Sequence, residues 1–187
     1  MLSTKVCAAA FSAAVVLVAV GSASASAAAF LSSTTGSLSA TALETQVFKT
    51  LAGSVECTKL TGTGSVTETM TETQTASITY ENCTAFGITN ASVSLAEYLF
   101  MANGEVTILK TITITAIGCE IIVPSQTVSS VSYKNKSGQL EIVPSVTNIE
   151  VEGKNTFCTF PKGRDGTYKG ASLATLGGGT ISWSSAG

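Results

Sequence analysis

After residue 30 no stretch places apolar residues at i, i+3 and i+4 between helix caps; what recurs is alternation with a period of two. Residues 66–80 (VTETMTETQTASITY) are the plainest case. Odd positions carry Thr67, Thr69, Thr71, Thr73, Thr75, Ser77 and Thr79. Even positions carry Val66, Glu68, Met70, Glu72, Gln74, Ala76, Ile78 and Tyr80. Successive side chains of a strand point to opposite faces, so one face is all hydroxyl and the other is apolar only at its ends. That suits an exposed hairpin whose middle extends past the core. Residues 105–117 (EVTILKTITITAI) repeat the pattern, with Thr111, Thr113 and Thr115 opposite Lys110, Ile112 and Ile114. Further short runs, among them 46–51, 53–60, 119–123, 140–143, 156–160 and 168–176, are separated by turn compositions at 102–104, 135–138, 164–166 and 177–179. Short strands at this spacing predict an all-β fold: a single antiparallel β-sandwich-like domain of roughly ten strands.

The first residues follow a different rule. One positive charge, Lys5, precedes an apolar run at residues 6–20 (VCAAAFSAAVVLVAV), and residues 21–29 (GSASASAAA) are small throughout. This is the layout of a cleavable secretory signal. It predicts a signal peptide over 1–27, with Ala29 as the alternative end, then a Ser/Thr-rich leader over 28–41 that is mobile or an edge strand, then the all-β domain over 42–187. Cys7 is removed with the signal. No later stretch reaches the ~18 apolar residues of a spanning helix, so no transmembrane segment is expected in the mature chain. The expected location is outside the cell, in the medium or at the cell envelope.

Export makes the cysteines a cross-linking set. Cys57, Cys83, Cys119 and Cys158 remain, an even number in an oxidising compartment. Two disulfides are expected, with three possible connectivities. The expected one is sequential, Cys57–Cys83 and Cys119–Cys158. The wide spacing argues against zinc, which prefers close ligand pairs.

Several chemistries are excluded outright. The chain has no histidine, so Ser-His-Asp and Cys-His catalysis, histidine zinc sites and a histidine base are out of reach. Asp165 is the only aspartate, too few for a calcium loop. Glu150 with Glu152, and Glu68 with Glu72, share strand faces, the kind of carboxylate pair a glycosidase uses, but their polar neighbours mark them as solvated. Gly177–Gly179 lacks the spacing and the lysine of a phosphate loop. A net charge of −2 with no basic run argues against nucleic acid. Neither cofactor nor metal is expected. The 28 Thr and 24 Ser include rows that ice-binding surfaces also use, but those need a fixed repeat, which is absent.

The order of motifs over about residues 40–175 resembles a set of uncharacterised secreted, β-rich, disulfide-containing proteins from actinobacteria. The carrying segments are 41–48 (TALETQVF), 53–58 (GSVECT), 80–86 (YENCTAF), 118–126 (GCEIIVPSQ), 131–133 (VSY) and 165–170 (DGTYKG). The resemblance implies an exported, disulfide-stapled β-domain and no particular activity. Many of those proteins carry a further cysteine pair, absent here, whose joint loss is consistent with pairing among the remaining four. The functional expectation is an exported non-catalytic β-domain with a structural or interaction role, meeting a cell-envelope or protein partner. The alternatives are a glutamate-based hydrolase and a fimbria-like subunit completed by a partner's strand.

Overall fold

A computed structural model describes residues 27–187 apart from Ile88 and Phe157. The expected signal peptide lies almost wholly outside the described residues, as does Cys7. Among the described residues there are seventeen strands and no helix. In chain order they begin with β1 (Ala29–Ser32), β2 (Gly36–Ala42), β3 (Gln46–Thr50), β4 (Gly53–Val66), β5 (Met70–Thr71) and β6 (Thr73–Ala85). The middle of the chain forms β7 (Thr89–Val93), β8 (Ala96–Met101), β9 (Val106–Ile108), β10 (Ile112–Ala116), β11 (Cys119–Val123) and β12 (Gln126–Val128). The remainder forms β13 (Val131–Lys136), β14 (Gln139–Lys154), β15 (Phe160–Lys169), β16 (Ser172–Leu176) and β17 (Ile181–Ser184).

Three long strands organise the rest. β4, β6 and β14 each have different neighbours along their two halves, which divides the domain into two levels. At one level pairing runs in a closed circuit: β3–β4–β6–β7–β10–β11–β14–β15 and back to β3. At the other level β2 and β16 join β4 to β14, while β6 continues into β8, β9 and β12. That second circuit is closed by a side chain. Gln126 Nε2 donates to the Glu150 carbonyl at 2.9 Å and its Oε1 accepts from the Glu150 N–H at 2.7 Å, linking β12 to β14 as a strand pair would. A small sheet, β17–β1–β5, covers this end. The antiparallel sandwich-like domain expected from the alternation is therefore present, with seventeen strands among the described residues where roughly ten were expected, and its two faces run into each other around the edges.

The pattern explains the packing. In β4 the inward residues Val55, Cys57, Leu60 and Val66 are buried, while Thr58, Thr61 and Thr63 face outward. Burying one such aliphatic side chain contributes about 1.5–3 kcal/mol, and the inward faces of β10, β11 and β14 add Ile112, Ile114, Ile121 and Val151 to the same core.

Four expectations change. Residues 28–41 are not a leader: they form β1 and β2, with β1 between β17 and β5 and β2 between β4 and β16. Alternation of Ser37, Ser39 and Thr41 outward with Leu38 and Ala40 inward makes β2 a strand in spite of its polar composition. The threonine row of 66–80 is divided by the connection at 67–72, which carries β5, so Glu68 and Glu72 flank that short strand and do not share one strand face. Residues 105–117 form two strands, because the chain crosses from one level to the other at 109–111. The Arg164-Asp165-Gly166 turn is a bulged part of β15: between Ile149–Gly166 and Val151–Gly163 the register shifts. A Cβ on Gly166 would lie 2.9 Å from the side chains of Ile149 and Val151, so the close approach needs glycine.

Candidate functional site

Both disulfides form with the expected connectivity. Cys57 and Cys83 lie opposite each other on β4 and β6 with Cα atoms 4.0 Å apart. Cys119 begins β11 and pairs with Cys158, in the segment before β15, with Cα atoms 5.1 Å apart. They close loops of 26 and 39 residues, each worth about 3–4 kcal/mol in the chain-entropy view. Cys57 also lines the interior described next.

The interior is not completely filled. A cavity of about 150 Å³ lies between the two faces, walled by apolar side chains from both levels, including Leu60, Ile78, Ile108 and Val123. A closed circuit of about eight strands has room for packed side chains or one small ligand. No described residue lining this cavity is charged. The polar side chains that reach it are four tyrosines, two glutamines and a serine: Tyr80, Tyr98, Tyr133, Tyr168, Gln46, Gln74 and Ser172.

Three of the tyrosines meet where the levels join. The Tyr80 and Tyr98 hydroxyls are 3.0 Å apart, and Tyr80 donates to Tyr168 at 3.3 Å. Tyr168 in turn donates to Gln46 Oε1. Gln46 is 2% exposed, and its Nε2 donates to the carbonyls of Glu44 (2.8 Å) and Ala171 (3.1 Å). Gly170, at φ 144°, makes room for it, since a Cβ there would lie 2.8 Å from Gln46 Oε1. Burial holds the Tyr80, Tyr98 and Tyr168 hydroxyls above the ordinary tyrosine range, with the neighbouring phenols adding to the effect. All three are half-buried and line the cavity.

The carboxylates considered for catalysis lie elsewhere. Glu150 pairs with Lys162 at 2.8 Å and Glu152 with Lys154 at 3.6 Å. Glu68 and Glu72 are exposed on either side of β5. Among the described residues no group of three or more His, Cys, Asp or Glu is placed to hold a metal ion. Among the described residues, each strand of the closed circuit has a partner on both sides, so no strand position in that circuit is vacant.

The tyrosine–glutamine ladder is what sequence reasoning missed. Its members lie on β3, β6, β8 and β15, brought together by register alone. One signal was present: Gln46 shares the inward parity of Phe48, a polar residue where an apolar one is expected.

The fold and cavity together define a closed β-domain with an internal apolar site. No protein-family model, curated protein or solved structure matches the chain.

Proposed function

We propose that this chain is an exported, non-catalytic β-domain that works by binding, at the cell surface or in the medium. The observation that carries the binding role is the uncharged, apolar cavity of about 150 Å³ with a few polar groups converging on it. Cavities of about this size lined by aliphatic and aromatic residues stay dry and take up benzene-sized molecules. Two buried disulfides suit an oxidising compartment. No described helix is long and apolar enough to cross a membrane. The hydrolase alternative lacks support from the cavity, which no described carboxylate lines.

Toluene tests the binding role. Titrated into the oxidised protein labelled at its isoleucine and valine methyl groups, it should produce saturable shifts centred on Ile78, Ile108 and Val123. Shifts absent up to the solubility of toluene, or spread evenly over surface methyls, would remove the proposal.

A further inference from the structure

The hydrogen-bond ladder has a direction. Both Nε2 protons of Gln46 go to main-chain carbonyls, so the atom it turns to Tyr168 is its oxygen, which only accepts. Flipping the amide would set Oε1 against two carbonyl oxygens. Tyr168 must therefore donate to Gln46, and its oxygen accepts from Tyr80. Tyr80 has then spent its one proton, so the Tyr98–Tyr80 bond is donated by Tyr98. Tyr98, the head of the ladder, has no proton left, and what it turns to the cavity is a lone pair.

Gln74 leads to the same result independently. It is 9% exposed and lines the cavity. Its two Nε2 protons go to the carbonyls of Ser65 and Thr75, each at 2.9 Å, so what it still offers is its carbonyl oxygen. Tyr133, also in the lining, donates to the Met101 carbonyl at 2.9 Å. All the tyrosines and glutamines around the cavity have committed their protons and offer acceptors; Ser172, the other polar side chain of the lining, has a hydroxyl that can donate as well as accept.

We infer that the cavity selects a small, uncharged, mostly apolar molecule that carries one hydrogen-bond donor, such as an aromatic or short aliphatic alcohol, and that Tyr98 accepts its hydrogen bond; this rests on the binding role proposed above. A carboxylate would bring more lone pairs to a wall whose polar groups, Ser172 apart, offer lone pairs, and would lose its hydration with no cation among the described lining residues to replace it. An ether or ketone would leave its oxygen and that of Tyr98 facing each other. A donor satisfies both, and the rest of the molecule fits a space of about 150 Å³.

The probes are toluene, benzyl alcohol, its isomer anisole, and benzoate, measured on the oxidised protein and on Tyr98→Phe. Benzyl alcohol should bind more tightly than anisole, and benzoate should not bind. Tyr98→Phe should weaken benzyl alcohol by up to about tenfold, leave toluene unchanged and not weaken anisole, whose oxygen no longer faces that of Tyr98. Retained toluene binding also shows that the variant keeps its cavity; if the variant does not fold, the comparison of the two isomers on the natural chain decides. Anisole binding at least as tightly as benzyl alcohol, benzoate binding more tightly than either, or an equal loss of toluene and benzyl alcohol in a folded Tyr98→Phe would overturn the donor inference. Failure of toluene itself would instead remove the binding role beneath it.

Discussion

The aromatic residues are used in two ways, at the covered end of the domain and at the junction of the two levels. At the covered end Phe30 meets Tyr133 edge-on at 5.0 Å, and Tyr133 meets Trp183 at 6.1 Å. Each polar atom there ends on the main chain: the Tyr133 hydroxyl on the Met101 carbonyl at 2.9 Å, and Trp183 Nε1 on the Ala102 carbonyl at 2.8 Å. Asn135 adds two bonds to the Trp183 backbone, fixing β17 beside β13. At the junction the phenols bond to one another and only the last reaches an amide. Bonds from side chain to main chain are finished and lock an element in place. A chain of hydroxyls has two ends, and the unfinished end is where a ligand can be read.

Both regions should respond to alkali, and this is the largest effect expected. The chain has four tyrosines, and burial raises the pKa of every one in the folded protein. A folded value above the unfolded value means that the stabilisation is complete below about pH 10 and is lost as pH rises further. Each tyrosine that stays protonated only in the folded state lowers stability by about 1.4 kcal/mol per pH unit in that window. Phenolate absorbance should therefore stay flat through pH 10 and then rise together with loss of the β-sheet circular dichroism. Phenolate appearing while the sheet signal is intact would show that the junction is open to solvent. Removing Tyr133 by substitution with Phe should make the alkaline fall in stability shallower and leave the junction's share.

How much of this could be read from the chain differs between the regions too. Alternation sufficed for each half of the large hairpin but not for its whole length: Ile78 and Ala85 are both buried on β6 although their positions differ in parity, because the inward face switches near Asn82, at φ 52°. The disulfide pairing was also accessible, since Cys57 and Cys83 belong to adjacent strands of that hairpin. The covered end was misread because composition outweighed pattern: Ser/Thr-rich residues 28–41 looked like a leader, although Ala29 and Phe30 are buried. The ladder was out of reach for a different reason. Gln46 and Tyr168 are separated by 122 positions, and nothing local specifies that β3 and β15 become neighbours. Two glycines show the same limit. Gly166 read as a turn former and Gly170 as part of a strand, whereas one admits Ile149 and the other the Gln46 side chain.

Phe30→Ala tests the covered end directly. Phe30 is buried on β1, opposite Trp183. The substitution should cost about 3–5 kcal/mol, as large-to-small changes at buried aromatic sites do. Denaturant unfolding measures it. If residues 28–41 were a detachable leader, the change would fall within the ~0.5 kcal/mol typical of surface sites. The same construction bears on export: a signal cut after Ala27 keeps the Ala29–Ser184 pair, whereas a cut after Ala29 removes it.

The smallest expected difference is the most informative about the junction. Tyr168→Phe takes the donor from Gln46 Oε1 and the acceptor from the Tyr80 hydroxyl, leaving two polar groups to find new partners. Groups left unsatisfied inside a protein cost about 1–3 kcal/mol. Tyr98→Phe takes away only a proton that Tyr80 was accepting, and Tyr80 still donates to Tyr168. An oxygen with one unused lone pair costs little, so the loss should be about 0.5 kcal/mol or less, comparable with a change at an uncommitted surface site. Unfolding of the two variants under the same conditions gives the order. Tyr168→Phe costing more than Tyr98→Phe means that the ladder runs from Tyr98 towards Gln46 and ends in a lone pair. The reverse order would mean that the protons run the other way. Tyr98 would then hold a free proton, and the cavity would select acceptors instead of donors.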